Sequence, residues 1–213
     1  MISIKEKEKT MMTEQEVLEA FTQTEALLEG HFELRSKLHS NRYFQCANVL
    51  RYPRIAGKLC DALVEKMIAS GEAGKIDGVI SPAVGGILVG HEVARALDTI
   101  CVFAEKVVVP GEVDAAGKPI TKLEMRRFAL KPGARYVVAE DVITRGGRVQ
   151  ETIDLVKAAG AEVAAVVVLV DRSEGKAKFD YPTFSLMQMS PTVWEPSECP
   201  LCAAGGKPIH PGS

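Results

Sequence analysis

The chain is poor in the features that mark membrane-spanning, secreted and nucleic-acid-binding proteins. Its formal net charge is only -2 over 213 residues, so it offers no electrostatic footprint for nucleic acid or for an anionic membrane. No apolar run is long enough to cross a bilayer, and residues 1–12 alternate charges where a signal peptide has an apolar core. Repeats and low-complexity segments are also lacking. These absences predict a cytoplasmic protein with no nucleic-acid or membrane partner.

Cysteine is scarce, and the odd count argues against a disulfide framework. The five cysteines are scattered: Cys46, Cys60, Cys101, Cys199 and Cys202. The last two form a Cys-Pro-Leu-Cys pair with the spacing of half a zinc site or of a redox pair. A structural zinc site needs four ligands; His210 offers a third, and no second cysteine pair follows. We therefore favour a packed or exposed pair of thiols in the C-terminal tail, with a metal or redox site as the alternative.

The composition and the N-terminal patterns predict one domain with a full hydrophobic core. Apolar residues make up 46% of the chain, which suits a single domain of this length. Thr13-Glu-Gln-Glu16 has the form of a capping box, and it predicts a helix that ends at Gly30. Residues 31–49 are mixed and aromatic, which suggests extended chain, and Pro53 opens a second predicted helix that runs through Met67.

From residue 76 onward, short apolar runs alternate with helical patterns. Strands are predicted at residues 76–80, 100–104, 136–139 and 163–170, with helices at 87–97 and 149–159. Such alternation indicates a parallel sheet covered on both faces, and ligands of such sheets bind at the carboxyl ends of the strands. Residues 106–130 break the pattern. They predict a β-hairpin around residues 114–117, a long mobile lid, or a solvated insertion.

One stretch carries the clearest chemistry, residues 136–148. A buried strand meets Glu140 and Asp141, and a short turn with Gly146 and Gly147 then leads into a helical pattern. Glycines let backbone N–H groups approach an anion, and a helix N-terminus favours negative charge. Two carboxylates beside an anion cradle require a ligand that also carries hydroxyls or a divalent cation. A sugar phosphate meets all of these requirements; the bland alternative is an ordinary strand-to-helix connection.

This stretch resembles the signature of type I phosphoribosyltransferases, which bind phosphoribosyl pyrophosphate (PRPP). The resemblance implies that the acid pair holds the ribose 2- and 3-hydroxyls and that the following loop wraps the 5-phosphate. Where Arg148 stands, the family commonly has a small hydroxyl residue. Gly85 and Gly86, after an earlier strand, resemble a pyrophosphate loop, although a tight turn is the alternative. The PRPP-binding residues implied are Glu140, Asp141, Val142, Ile143, Thr144, Arg145, Gly146, Gly147, Arg148, Gly85, Gly86 and Lys106.

Three other places resemble the orotate-specific members of this family. In residues 32–44 the resemblance puts Arg35, Tyr43 and Phe44 in one wall of the orotate pocket. At the end of the last predicted strand, Arg172 matches an arginine that meets the acceptor's carboxylate, and Thr144 is implied as a further orotate contact. A guanidinium binds a carboxylate bidentately, which selects orotate over uncharged bases. Residues 198–202 and 207–213 resemble the tail of a bacterial branch of these enzymes.

The cations expected around the pyrophosphate depart from the family pattern. Lys106 matches the second position of a basic pair, whereas Glu105 replaces the first, and the lid histidine of many relatives is missing. Basic charge reappears at Arg126 and Arg127, which we place near the pyrophosphate, with an exposed charged turn as the alternative. The catalytic residues implied are therefore Lys106, Asp141, Arg126 and Arg127.

The resemblance implies an α/β fold of the type I phosphoribosyltransferase kind. Its central, mostly parallel sheet is flanked by helices, with a small N- and C-terminal hood and a flexible lid loop. In one domain of residues 1–213, residues 1–50 would form the N-terminal helix and hood segment, 76–173 the PRPP-binding core, and 174–213 the C-terminal hood and tail. A two-fold homodimer is implied as well.

The implied activity is magnesium-dependent transfer of the phosphoribosyl group of PRPP to orotate. Magnesium would be held mainly by PRPP and water, without direct protein ligands. Three alternatives stay open. A purine-base phosphoribosyltransferase needs no carboxylate partner, so Arg172 discriminates against it. A non-catalytic PRPP-sensing regulator keeps the fold without the reaction, and a zinc-dependent interaction protein would depend on Cys199 and Cys202.

Overall fold

The computed structural model describes residues 12–34 and 36–211. The N-terminal segment 1–11, Arg35 and residues 212–213 lie outside the described residues. The helices are α1 (Glu14–Gln23), α2 (Cys46–Leu50), α3 (Pro53–Ser70), α4 (Gly85–Leu97), α5 (Gly147–Ala158) and α6 (Pro200–Ala203), with a 3-10 turn at Pro196–Glu198. The strands are β1 (Leu27–Glu33), β2 (His39–Phe44), β3 (Gly78–Pro82), β4 (Ile100–Val113), β5 (Pro119–Glu124), β6 (Arg135–Ile143), β7 (Glu162–Asp171), β8 (Thr183–Gln188) and β9 (Val193–Trp194).

Six strands form the main sheet in the order β5-β4-β3-β6-β7-β8. All neighbouring pairs are parallel except β4 and β5, which are antiparallel. The predicted mostly parallel α/β fold is thus confirmed. Strand β8 was missed, because it lies at the sheet edge and only Ser185 among its six residues is buried. An edge strand of this kind lacks the continuous apolar run that marks a buried one.

The two faces of the sheet each support one hydrophobic cluster. Along β6, Val137 and Ala139 pack with α1, α3 and α4, while Tyr136 and Val138 pack with α5. This alternation follows from the two-residue period of a strand, and it requires helices on both faces. Among the described residues no helix is both long and apolar enough to cross a bilayer.

A second, smaller sheet joins two N-terminal strands to a strand near residue 193, in the order β1-β2-β9. We call it the hood sheet. Its strands are antiparallel, and Phe32 of β1 also forms a bridge with Ile209 of the C-terminal tail. The capping box of Thr13 and Glu16 is confirmed. The predicted helix end at Gly30 was wrong, because the chain turns after Gln23 and residues from Leu27 onward pair with β2 instead.

Three alternatives were predicted for residues 106–130, and the structure confirms the β-hairpin. Strand β4 continues to Val113 and turns back into β5. The turn is held by Asp114, whose N–H donates to the carbonyl of Lys118 at 2.8 Å and whose Oδ1 accepts from the Ala116 and Lys118 N–H groups, each at 2.9 Å. A side chain that caps its own turn is a common role for aspartate. We call residues 105–124 the β4–β5 hairpin.

Candidate active site

The loop predicted to bind the 5-phosphate, residues 144–148, lines one cavity at the carboxyl end of β6. We call it the phosphate loop. The volume of the cavity is about 580 Å³, and the cavity gathers every residue from Glu140 to Arg148. Glu140 and Asp141 belong to β6 itself, so the strand is longer than the predicted one, which ended at Ala139. Three lining residues were not anticipated: Thr121 from β5, and Val149 and Glu151 from α5. Thr121 carries no motif of its own, and Glu151 reads as an ordinary surface residue of a helix.

The acid pair packs against Gly85 and Gly86, the first two residues of α4. A Cβ atom added at Gly85 would stand 2.8 Å from Asp141 Oδ2, and one at Gly86 would stand 2.9 Å from Glu140 Oε1. Both contacts are closer than real Cβ atoms reach, so any side chain at these glycines would displace the carboxylates. The structure therefore brings Gly85 and Gly86 to the acid pair, as the predicted common site requires.

Burial favours the protonated form of both carboxyl groups in the acid pair. It raises the pKa of the Glu140 carboxyl to about 9, and the neighbouring charge of Asp141 adds to that rise. Burial also raises the pKa of Asp141. The Asp141 N–H donates to Glu140 Oε1 at 3.1 Å, and no salt bridge among the described residues neutralises either carboxylate. A ligand that brings hydroxyl donors or a cation would supply the missing partner.

The loop after β6 combines a special backbone with a helix N-terminus. Gly146 has φ = 77°, and a Cβ there would lie 2.9 Å from Cζ of Phe179. Only glycine meets both conditions. Helix α5 begins at Gly147, so the N–H groups of its first turn have no partners within the helix and are directed toward the cavity mouth. Thr144 and Arg145 are exposed there, which suits a loop that closes around a phosphate.

The Arg148 side chain forms two hydrogen bonds with neighbouring side chains. Its Nη1 donates to Glu151 Oε2 at 2.6 Å, and its Nη2 donates to Thr121 Oγ1 at 3.3 Å. Glu151 also accepts the backbone N–H of Leu123. Arg148 and Glu151 thus connect the phosphate loop to the β4–β5 hairpin, a link that sequence could not reveal because the hairpin lies about 27 residues away.

Three basic residues that the sequence places near the pyrophosphate, Lys106, Arg126 and Arg127, lie outside this cavity. We call them the lid cations. All three are exposed. Arg127 Nε donates to Glu105 Oε1 at 3.3 Å, so part of its charge is compensated by the acid that replaces the expected basic residue. The structure does not bring these cations to the phosphate loop, and their catalytic roles stay predictions.

Arg172 occupies the place expected of an acceptor-binding residue. It directly follows β7, and its backbone N–H donates to the carbonyl of Ile143 at 2.8 Å, beside the phosphate loop. Its Cζ lies 5.3 Å from the centre of the Phe44 ring. The Arg172 Nε is buried without a hydrogen-bond partner, and burial lowers the pKa of the guanidinium. Among the described residues it forms no salt bridge, so it is a desolvated cation that lacks an anion.

The remaining orotate-pocket residues are placed less uniformly. Phe44 is buried in the core and also contacts the Phe21 ring edge-on at 6.4 Å, so it serves packing as well as the Arg172 surface. Tyr43 packs beside Phe32 with the ring centres 5.9 Å apart. Arg35 lies outside the described residues.

The fold and this site together define the class of type I phosphoribosyltransferases. A family model described as the phosphoribosyl transferase domain matches residues 48–202. The chain belongs to the orotate phosphoribosyltransferase family within that class. It is 44% identical over 203 residues to the orotate phosphoribosyltransferase of Desulforamulus reducens, covering 95% of this chain and 98% of the relative. The enzyme of Heliobacterium modesticaldum is 46% identical over 202 residues, with 95% and 99% covered.

Solved structures support the fold. Orotate phosphoribosyltransferase from Aeropyrum pernix is similar with a TM-score of 0.62 at 24% identity, covering 81% of this chain and 93% of that one. An adenine phosphoribosyltransferase from Saccharomyces cerevisiae reaches the same TM-score of 0.62 at 23% identity, with 78% and 97% covered. Enzymes for different bases thus share this fold, and the acceptor must be argued from the site.

Proposed function

We propose that this protein transfers the phosphoribosyl group of PRPP to orotate, which yields orotidine 5'-monophosphate and pyrophosphate. The observation that carries the acceptor is Arg172. It is desolvated, beside the phosphate loop, and without an anion of its own. Orotate carries a carboxylate that would complete a bidentate pair with the guanidinium, whereas a purine base offers no such group.

Different groups of the site bind different parts of PRPP. Glu140 and Asp141 accept hydrogen bonds from the ribose hydroxyls, and the N–H groups that begin α5 receive the 5-phosphate. Together with Arg172, these contacts align the acceptor nitrogen with C1 of the ribose and with the leaving group. Positive charge that develops at C1 in the transition state is favoured by the nearby carboxylates. No covalent nucleophile is required.

We also propose magnesium as the cofactor, held mainly through PRPP oxygens and water. The acid pair suits a hydrated hard cation, because the oxygens of Glu140 and Asp141 can accept hydrogen bonds from its water ligands, and burial raises the pKa of both carboxyl groups until positive charge is supplied. When bound, magnesium would neutralise part of the charge on the pyrophosphate. We propose that Lys106, together with Arg126 or Arg127, neutralises the rest of the charge on the pyrophosphate.

The exposed lid cations support a homodimer in which the β4–β5 hairpin reaches the neighbour's site. The hairpin exposes apolar side chains as well: Val108 is 59% exposed and Val113 is 60% exposed. Sedimentation gives the oligomeric state. Mixing Lys106→Ala with Asp141→Asn protein then tests the sharing of sites: if Lys106 acts across the interface, mixed dimers regain activity that neither variant has alone.

We propose the cytoplasm as the location, which cell fractionation tests.

The deciding experiment follows orotate depletion by absorbance with PRPP and magnesium present and with each omitted in turn. We expect depletion only when both are present. Adenine and hypoxanthine serve as matched acceptors and should show no turnover. Purine turnover with orotate untouched would replace the proposal by a purine-base enzyme. PRPP binding without any turnover would replace it by a PRPP-sensing regulator.

A further inference from the structure

Four metal-ligating side chains converge at the far end of the hood sheet. His31 lies on β1, His39 on β2, Cys199 immediately before α6, and Cys202 within α6. One ligand atom from each lies within 4.8 Å of all the others. His31 and Cys199 are 168 residues apart in the chain, so only the fold brings them together. We call these four residues the His/Cys cluster; they belong to neither the phosphate loop nor the Arg172 surface.

The separations suit a tetrahedral metal ion. With metal–sulfur bonds of about 2.3 Å and metal–nitrogen bonds of about 2.0–2.1 Å, tetrahedral angles put two nitrogens about 3.3 Å apart and a nitrogen and a sulfur about 3.6 Å apart. In the structure His31 Nε2 and His39 Nδ1 are 3.1 Å apart. Three of the four nitrogen–sulfur separations are 3.4, 3.7 and 3.3 Å, and the fourth, between His39 and Cys199, is within 4.8 Å.

Hydrogen bonding alone does not account for this arrangement. His31 Nε2 has three partners at once, namely His39 Nδ1 at 3.1 Å, Cys199 Sγ at 3.4 Å and Cys202 Sγ at 3.7 Å. A neutral imidazole nitrogen carries either one hydrogen or one lone pair, so it can satisfy one of these contacts well. An ion at the centre uses all four lone pairs together.

We propose that His31, His39, Cys199 and Cys202 hold a structural zinc ion. Two imidazoles and two thiolates are a donor set that zinc prefers, and four protein ligands leave no open position for a substrate. His39 and Cys199 are buried, at 5% and 2% exposure, which suits a closed site. His210, the ligand suggested by sequence, lies elsewhere: its Nδ1 is 3.0 Å from the carbonyl oxygen of Glu33.

The ion would fasten the C-terminal tail to the hood. Without it, the described residues of the tail are held to the hood by the β9–β2 pairs His39–Trp194 and Ser40–Val193, by the isolated Phe32–Ile209 bridge, and by the side-chain hydrogen bonds of Ser40 and His210. Strand β2 also carries Phe44, the ring beneath Arg172. Zinc therefore stabilises the sheet that forms one side of the acceptor surface, and it takes no part in the chemistry there.

The test is the metal content of the full-length protein, purified under reducing conditions and then incubated with zinc and freed of excess ion. We expect one zinc per chain by elemental analysis. Replacing zinc by cobalt should give the visible absorption of a tetrahedral cobalt–thiolate site. Bound zinc should raise the midpoint of thermal unfolding, and a strong chelator should remove that increment.

Matched variants tell the cluster apart from incidental binding. Cys202→Ser and His39→Ala should lose the zinc and the cobalt absorption, whereas Cys101→Ser and His210→Ala should keep one equivalent. PRPP binding, measured on every variant, reports that the core is folded. The proposal is overturned if reduced wild-type protein with zinc supplied binds less than a tenth of an equivalent. Retention of zinc by folded Cys202→Ser and His39→Ala would overturn it as well.

Discussion

The phosphate loop and the acceptor side of this protein are assembled in opposite ways. The loop cavity is lined almost wholly by consecutive residues, Glu140 to Arg148, that pass from a strand into a helix. The acceptor side joins Arg172 after β7 to Phe44 of β2, and the hood that holds Phe44 is closed by a C-terminal strand. A contiguous site survives as a sequence motif. A site made of distant segments leaves only isolated residues that look ordinary in the sequence.

The two regions also leave ionisable groups of opposite kinds without partners. The acid pair is desolvated without a cation, which raises the pKa of both carboxyl groups, and Arg172 is half-buried without an anion. Each arrangement costs stability in the free protein, because a desolvated charge is unfavourable until it is paired. Substrates that bring hydroxyls and a cation to one side and a carboxylate to the other would relieve both. The contrast between the two sides is therefore open to experiment.

The largest effect should come from Arg172→Ala. Removing one member of a buried charge pair costs about 3–5 kcal/mol, so kcat/KM for orotate should fall by a factor of roughly 100 to 1,000 or more. PRPP affinity, measured by calorimetry, should stay within a factor of about three, since its contacts lie on the other region. Arg172→Lys should fall between, because it keeps the charge and loses the bidentate geometry. Equal loss of orotate use and PRPP binding would place Arg172 on the phosphate side.

Asp141→Asn should act on the other region. Losing a charged acceptor of ribose hydroxyls should weaken PRPP binding by about 10- to 100-fold, or about 1.4–2.7 kcal/mol. Asp154→Asn is the matched control, since Asp154 is an exposed residue of the adjoining helix that bonds to Gln150. Unchanged PRPP binding in Asp141→Asn would remove this residue from the ribose site.

Glu140→Gln probes the cost of the buried acid pair. The pKa of Glu140 is raised from 4.5 to about 9 on folding, so the folded ligand-free protein holds the proton that the unfolded chain releases. Stability of the wild-type protein should therefore decline as pH rises from about 5 to 9. The variant lacks this decline, so its stability advantage over the wild-type protein should be small at pH 5 and should grow steadily up to pH 8. Denaturant unfolding across this range measures it, and parallel pH profiles would contradict the assignment.

Arg148→Ser should have the smallest effect on stability. Its bond to Glu151 is partly exposed, and such pairs contribute about 0.2–1 kcal/mol. A double-mutant cycle with Glu151→Gln, which keeps an acceptor for the Leu123 N–H, should give a coupling in that range. Absence of coupling would mean that Arg148 and Glu151 do not pair in solution.

Part of the secondary structure could be predicted from the sequence. The capping box at Thr13, the helix after Pro53 and the strands of the parallel sheet follow local rules of period and capping, and the structure confirms them. The end of α1 and strand β8 were misjudged, because their outcome depends on pairing with strands elsewhere. Local preference is weak beside such tertiary contacts.

The sequence by itself determined the α/β class and the predicted phosphate loop. Both depend on neighbours in the chain, namely an apolar run, an acid pair, two glycines and a helix start, whereas Arg172 was suggested only by the resemblance to the orotate enzymes. Only the tertiary structure decided that Arg148 pairs with Glu151 and Thr121, that the lid cations lie outside the loop cavity, and that His31 and His39 meet the C-terminal cysteines. The physical reason is distance along the chain, because contacts between remote segments are set by how the sheets pack and leave no spacing pattern to recognise.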